Sequence, residues 1–157
     1  MRFHALPQAI RESHLCSSVF ICGSLLLISL SAAAGVTVKD AWVRGTVPAQ
    51  KTTGAFATLT STDDAKLVAV KSPVAKTVEV HASEMHAGVM HMHAVDAVPL
   101  PAGKSVKLEP GGFHVMLIGL THPIPAGEKV PLEFVVEDAR GKRSTVAAEA
   151  VVRPLGQ

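Results

Sequence analysis

Short runs of β-branched and apolar residues recur along most of the chain, and Gly, Pro or Asp separates each run from the next. This pattern is typical of an all-β sandwich or barrel made of short strands and tight turns. No run keeps a 3.6-residue period over three turns, which argues against helices. We therefore expect an all-β fold with two antiparallel sheets packed face to face. The predicted strands cover residues 36–43, 55–61, 66–72, 77–81, 89–95, 105–108, 113–120, 129–136 and 144–152.

A different pattern opens the chain and indicates an export signal. Arg2 and Arg11 precede an uncharged, mostly apolar stretch at 19–30, and small residues follow at 31–34. A basic lead, an apolar centre and a small-residue exit are the parts of a cleaved signal peptide. The alternative is an uncleaved membrane anchor, but the apolar centre is shorter than the roughly 20 residues that a spanning helix needs.

We predict cleavage after Ala34, so that residues 1–34 are the signal peptide and residues 35–157 form one domain. We expect an exported protein with no stable membrane insertion after cleavage. Both cysteines, Cys16 and Cys22, lie within the signal, so the mature domain has neither a disulfide nor a thiolate ligand. The lack of cysteine excludes a blue-copper centre.

The charge pattern narrows the possible partners. The whole chain carries a formal net charge of +2, which falls close to zero once the signal peptide is removed. Because the domain has no basic stripe, we expect no nucleic-acid partner. We expect the mature protein to be a monomer.

Candidate metal donors are concentrated in one window of the sequence. All four methionines after the initiator and six of the eight histidines lie between His81 and His122. Thioether sulfur is a soft ligand and imidazole nitrogen is borderline, and this combination suits Cu(I). The window therefore predicts a copper site.

Side-chain alternation along the predicted strand at 113–120 places two of these donors together. Residues two apart point to the same face of a strand. Phe113, Val115 and Leu117 form an apolar face, so His114 and Met116 share the opposite one. The Pro-Gly-Gly sequence at 110–112 could turn the chain sharply and leave that face open.

The same alternation sorts the donors at 77–95. His81 lies on the outer face at the end of its strand, because the valines before it face inward. Met90 and Met92 share one face of the next strand, and His91 and His93 share the other. Only one set can join His114 and Met116. We favour Met92, because a thioether makes a softer site, and expect Met90 to pack in the core or behind the site.

The remaining methionines and histidines are interpreted as structural or solvent-exposed residues. Methionine often fills gaps in cores, and Met85 falls in a predicted loop at 82–88. His122 precedes Pro123 in a turn. His86, His91 and His93 are expected to be solvated, with an auxiliary Cu(II) or Zn site as the alternative.

The spacing of the donors carries a family resemblance. Ten residues separate His81 from Met92, and 21 separate Met92 from the His114-Val115-Met116 sequence. This spacing resembles the motif of the PCu(A)C family of periplasmic copper chaperones. The stretches GVMHM at 88–92 and PGGFHVML at 110–117 resemble the family's two signatures, and the similarity extends from 41–44 to the last strand.

The resemblance implies a cupredoxin-like β-sandwich that holds one Cu(I) through His81, Met92, His114 and Met116. Many relatives have Met two positions after the first His, where this chain has Ser83, and Met85 is a candidate replacement. The resemblance also implies delivery of copper to the CuA-bearing subunit of cytochrome c oxidase, together with a Sco-type copper protein.

Four other functions are weighed against a copper chaperone: an enzyme, an electron-transfer protein, a structural protein and a copper buffer. Four protein ligands leave no open position on the metal, so we expect no enzyme activity. The absence of cysteine argues against an electron-transfer cupredoxin, and the matched His and Met spacing argues against a metal-free structural sandwich. The main alternative is a periplasmic copper buffer or resistance protein without a dedicated acceptor.

Overall fold

The computed structural model describes residues 35–155, which form ten β-strands. The predicted signal peptide at 1–34 lies outside these residues. No helix occurs from 35 to 155, so this part of the chain offers no helix that could cross a membrane. The strands are β1 (Val36–Arg44), β2 (Thr52–Ser61), β3 (Ala65–Lys71), β4 (Ala75–His86), β5 (Val89–Ala94), β6 (Val98–Leu100), β7 (Ser105–Leu108), β8 (Phe113–Leu120), β9 (Lys129–Asp138) and β10 (Arg143–Arg153).

Two elements differ from the sequence prediction. The predicted loop at 82–88 is wrong, because β4 continues to His86 by pairing with β5. Only Ala87 and Gly88 form the turn, with φ angles of 49° and 81°. Positive φ at both central residues is the signature of a type I′ hairpin turn. The short strand β6 was not predicted, because three residues centred on Pro99 show too little alternation to be recognised.

Hydrogen bonds join the strands in one continuous path, in the order β5-β4-β8-β2-β1-β10-β9-β3-β6. The first half of β2 pairs with β8, and the second half pairs with β7 along the same edge. The expectation of purely antiparallel pairing fails at one place, because β1 and β10 run parallel. A parallel pair needs a long connection, and here the connection is nearly the whole domain.

One hydrophobic core lies between two parts of this strand order, the β4–β8 arm and the β9–β3–β6 arm. It contains Val80 and Leu117 from the β4–β8 arm together with Leu67, Val98 and Phe134 from the β9–β3–β6 arm. The two arms therefore face each other across shared apolar side chains, as in a β-sandwich. The outer face of the β4–β8 arm is left free for polar and sulfur-containing side chains.

Candidate metal centre

The predicted ligands lie on one face of three adjacent strands, β5, β4 and β8. His81 is directly opposite His114, and Ser83 on the same strand is opposite Met92. Met116 follows His114 by two residues and is opposite Glu79. Because directly paired residues point to the same face, His81, Met92, His114 and Met116 share a face, as alternation predicts.

A cleft of about 310 Å³ opens over this face and brings three of the four together. Met92, His114 and Met116 all line it. His81 is not a lining residue, but it lies next to His114 with 5.9 Å between the ring centres. The cleft thus places two thioethers and one imidazole around one space, with the second imidazole beside it.

The predicted ligands range from a buried histidine to a largely exposed methionine. His114 is only 5% exposed, whereas Met92 is 54% exposed. Val115 and Leu117, which alternate with His114 and Met116, are buried in the core and fix the orientation of β8. A metal bound here would be held by a rigid strand on one side and remain accessible from the hairpin side.

The turn before β8 orients His114. The backbone oxygen of Gly112 accepts a hydrogen bond from Nδ1 of the ring at 3.0 Å, which leaves the Nε2 lone pair free. Pro110 and Gly111 of the same turn line the cleft, and Gly111 has a φ of 86°, a conformation that glycine adopts without strain. The Pro-Gly-Gly turn therefore bounds the site and fixes its histidine.

His81 is oriented by a different partner. Its Nε2 donates to the Glu79 carboxylate at 2.8 Å. Its Nδ1 is buried and has no hydrogen-bond partner among the described residues. A buried polar atom without a partner needs an explanation, and a bound metal ion supplies one. The donor set of two thioethers and two free imidazole nitrogens fits Cu(I).

Strand β2 forms a further wall of the cleft, and its residues were not among the predicted site residues. Gly54 lies opposite Met116, and an added Cβ there would approach Phe56 Cζ to 2.9 Å. Phe56 lines the cleft and stacks on Trp42, with ring centres 4.2 Å apart. Arg44 also lines the cleft, with its guanidinium 5.7 Å from the Phe56 ring centre. The only sequence signal for this wall was the resemblance at 41–44.

The other methionines of the window lie on the same face as the site. Met90 was expected in the core or behind the site, but it is 53% exposed and lines the cleft. Met85 is opposite Met90 and 65% exposed. Met85 is four residues along β4 from His81, about 13 Å at the usual strand rise, so its backbone is twice as far from His81 as that of Ser83.

The remaining histidines do not form a ready-made site. His86 and His91 lie on the opposite face of the hairpin, with ring centres 6.4 Å apart. Within residues 35–155, no three His, Cys, Asp or Glu side chains converge as metal ligands would. His122 lies after β8 and hydrogen-bonds Glu128 at 3.0 Å. The auxiliary Cu(II) or Zn site therefore has no preformed geometry.

Comparison with known sequences gives a family match over most of the domain. Residues 36–150 match the family model described as "Putative lipoprotein LpqE-like". A protein of Leifsonia xyli subsp. xyli named "Putative lipoprotein Lxx21020" is 34% identical over 116 residues, which cover 72% of this chain and 68% of that protein.

Comparison with solved structures agrees with the sequence match. The solution structure of Cu(I)-bound DR1885 from Deinococcus radiodurans is 31% identical and covers 81% of this chain and 84% of its own, with a TM-score of 0.57. The copper-bound PCuAC domain from PmoF2 has a TM-score of 0.62 at 24% identity, covering 78% of this chain and 96% of that domain. These likenesses confirm the expected cupredoxin-like, all-β fold.

Proposed function

We propose, from the premise that this chain belongs to the LpqE-like family of PCuAC copper-binding proteins, that it is an exported copper chaperone. It holds one Cu(I) through His81, Met92, His114 and Met116 and passes the ion to a cuproprotein. The copper is cargo in this function, so the protein is a carrier and not an enzyme.

The observation that carries the proposal is that two histidine rings, each with one free nitrogen, share a strand face with two thioethers. Hydrogen bonds engage Nε2 of His81 and Nδ1 of His114, so each ring keeps its other nitrogen for a metal. Partners of this kind fix the tautomer and orientation of metal-binding histidines. Met92 and Met116 add sulfur from the same cleft.

The donor atoms of the cleft favour Cu(I) over Cu(II), because thioethers bind soft ions best. The two charged groups near the donors have opposite signs. The Arg44 guanidinium lines the cleft, and the Glu79 carboxylate is hydrogen-bonded to His81. The preference for Cu(I) therefore rests on the softness of the sulfur ligands.

The exposure of Met92 suits transfer by ligand exchange. A thiolate-rich acceptor can approach the cleft on the side of the exposed Met92 and take over the ion by replacing its ligands one at a time, because His114 lies on the buried side. No redox change is needed, and neutral thioethers need no proton when they are released. The ion can then be shared briefly between the two proteins.

We assign the CuA-bearing subunit of cytochrome c oxidase as the acceptor and a Sco-type protein as co-worker, on the strength of the family resemblance. Relatives named as lipoproteins support export. Cleavage after Ala34 would release the domain into the periplasm as a monomer.

The copper site is tested by anaerobic Cu(I) titration of the mature protein. We expect one tight equivalent, with X-ray absorption showing two sulfur and two nitrogen neighbours. In competition with a chromogenic Cu(I) chelator, His114→Ala and Met116→Leu should each lose most of the affinity. His122→Ala is the matched control, because that ring lies outside the site. Wild-type affinity in both site variants would refute the assignment.

The acceptor is tested in cells. A deletion strain should lose oxidase activity when copper is scarce, and excess copper should restore it because mass action can replace a carrier. The wild-type gene should complement the deletion, and the His114→Ala/Met116→Leu gene should not. Normal oxidase activity at limiting copper, together with a sharp rise in copper sensitivity, would favour the periplasmic buffer instead.

A further inference from the structure

Three methionines on one face of the β4–β5 hairpin are largely exposed to solvent. Met85, Met90 and Met92 are 65%, 53% and 54% exposed, and they make up three of the seven large exposed apolar side chains among the described residues. Methionine side chains normally gain stability by burial. Three of them left in water on one face indicate that the sulfurs have another use.

The strand register brings these three thioethers together. Met85 and Met90 are directly opposite each other, and the Cβ atoms of such a pair lie about 4.5–5.5 Å apart. Met92 follows Met90 by two residues on the same face, and its diagonal distance to Met85 is about 7–8 Å. Methionine has three rotatable bonds, so all three sulfurs can reach one ion between the strands.

The three methionines are continuous with the cleft. Met90 and Met92 line it, and Met85 extends the sulfur face beyond it toward the turn at Ala87. Met92 is therefore the one donor that belongs both to the proposed four-ligand site and to the group of three methionines. Three further histidines of the hairpin, His86, His91 and His93, lie on the opposite face and do not contribute.

We propose that Met85, Met90 and Met92 form an all-thioether Cu(I) site at the hairpin end, through which copper enters and leaves the main site. This proposal rests on the proposed function. Copper moves between the two sites while Met92 stays bound: Met85 and Met90 are exchanged for His114, Met116 and His81, or the reverse. Every ligand is neutral, so the ion keeps its single charge and no proton or electron moves.

The entry site is isolated by removing the other three ligands. A His81→Ala/His114→Ala/Met116→Leu variant keeps Met85, Met90 and Met92 as its thioethers. Anaerobic X-ray absorption should show residual, weaker Cu(I) with sulfur neighbours only. Adding Met85→Leu and Met90→Leu should abolish this binding. Loss of Cu(I) binding already in the first variant, or nitrogen neighbours in its spectrum, would overturn the proposal.

Transfer kinetics test the same site in a protein with its main ligands intact. Cu(I)-loaded Met85→Leu/Met90→Leu protein, mixed with a chromogenic Cu(I) chelator, should keep its equilibrium affinity and lose copper roughly tenfold more slowly, a change of about 1.4 kcal/mol in the barrier. A His91→Ala/His93→Ala variant is the matched control on the opposite face and should transfer at the wild-type rate. An unchanged rate in the leucine variant would overturn the proposal.

Leucine and serine variants separate coordination from docking. Leucine keeps the apolar volume of methionine without its sulfur, whereas serine removes both. If the sulfurs carry copper, both pairs of variants slow transfer equally. If only the Met85→Ser/Met90→Ser protein is slow with a protein acceptor, the face is a docking surface and the entry site is rejected. Failure of the wild type to bind any tight Cu(I) would instead refute the proposed function.

Discussion

The two histidines of the candidate centre are held by different hydrogen-bond partners, which decides the ring nitrogen that each can offer. The Gly112 carbonyl engages Nδ1 of His114, and the Glu79 carboxylate engages Nε2 of His81. Glu79 also lies directly opposite Met116, so it belongs to the face that carries the predicted ligands. It is a positioning residue that would act on the metal through His81.

Removal of the Glu79 carboxylate should weaken copper binding without unfolding the protein. Glu79→Ala leaves His81 free to rotate and to change tautomer, and loss of such a partner typically lowers metal affinity about 10–100-fold. Glu79→Gln keeps an oxygen acceptor and should lose less. Chelator competition measures both, with Glu84→Gln on the opposite face of β4 as control. Wild-type affinity in Glu79→Ala would show that the hydrogen bond does not position the ring.

At the scale of elements, the β4–β5 hairpin decides which donors meet. Because alternation has a period of two, a slip of one residue in its register would exchange the methionine face for the histidine face. The two-residue turn fixes the register by closing His86 against Val89. However, its first residue is Ala87 at a φ of 49°, which is unfavourable for a residue with a Cβ.

Ala87→Asn should therefore stabilise the protein, since Asn tolerates this conformation and Asn-Gly is the preferred type I′ sequence. A gain of about 1 kcal/mol would raise the melting temperature by roughly 4 °C in a domain of this size. Thermal unfolding followed by circular dichroism measures the shift, and copper affinity should be unchanged. Ala87→Val is the opposite control and should destabilise. A fall in melting temperature for Ala87→Asn would contradict the type I′ geometry.

Two ion pairs that share one carboxylate join β3, β9 and β10, which carry none of the predicted ligands. Glu137 on β9 accepts hydrogen bonds from Lys66 on β3 and Arg143 on β10, each at 2.9 Å. The hydrogen bond from Lys66, followed by that from Arg143, lowers the pKa of Glu137 below its ordinary value of 4.5. A lowered carboxyl pKa stabilises the folded state at pH values above the ordinary pKa, and this contribution is lost as pH falls through the lowered value.

Glu137→Gln should therefore destabilise the protein at neutral pH, and the difference from wild type should shrink as pH falls below 4.5. Urea unfolding at several pH values measures the difference. Glu149→Gln serves as a comparison, because the Glu149 pair with Lys129 is much more exposed. A difference that grows with acidification would contradict the assignment.

At the scale of the whole molecule, the scaffold does not depend on the metal. The core is built from apolar residues of both arms, and it contains none of the predicted ligands. The ligands lie on the outer face of β4, β5 and β8 instead. Copper should therefore stabilise a domain that is already folded, in contrast to small metal domains that fold only on binding.

Copper removal should leave a cooperatively unfolding protein with an unchanged β-type circular dichroism spectrum. Cu(I) held at a free concentration about 1,000 times the dissociation constant should add about 4 kcal/mol to the free energy of unfolding. Anaerobic thermal unfolding with and without Cu(I) measures the gain, and the His114→Ala/Met116→Leu variant should show almost none. An unfolded spectrum for the copper-free protein would contradict a preformed scaffold.

The sequence determined what depends on neighbouring residues along one strand. Alternation of apolar and polar positions gave β7 and β8 with the observed bounds, and it placed Met116 beside His114. It also separated Met92 from His91 and His93. These inferences succeed because side-chain direction in a strand follows from local geometry alone.

Tertiary structure decided what depends on the pairing of one strand with another. The residues that extend β4 beyond its predicted end are held in a strand by β5, β6 is held at the edge of β3, and β1 lies parallel to β10. The Phe56 wall of the cleft and the burial of the free His81 Nδ1 emerge only when the strands are side by side. Hydrogen-bond pairing across strands links residues whose separation leaves no local pattern, so only the folded chain reveals it.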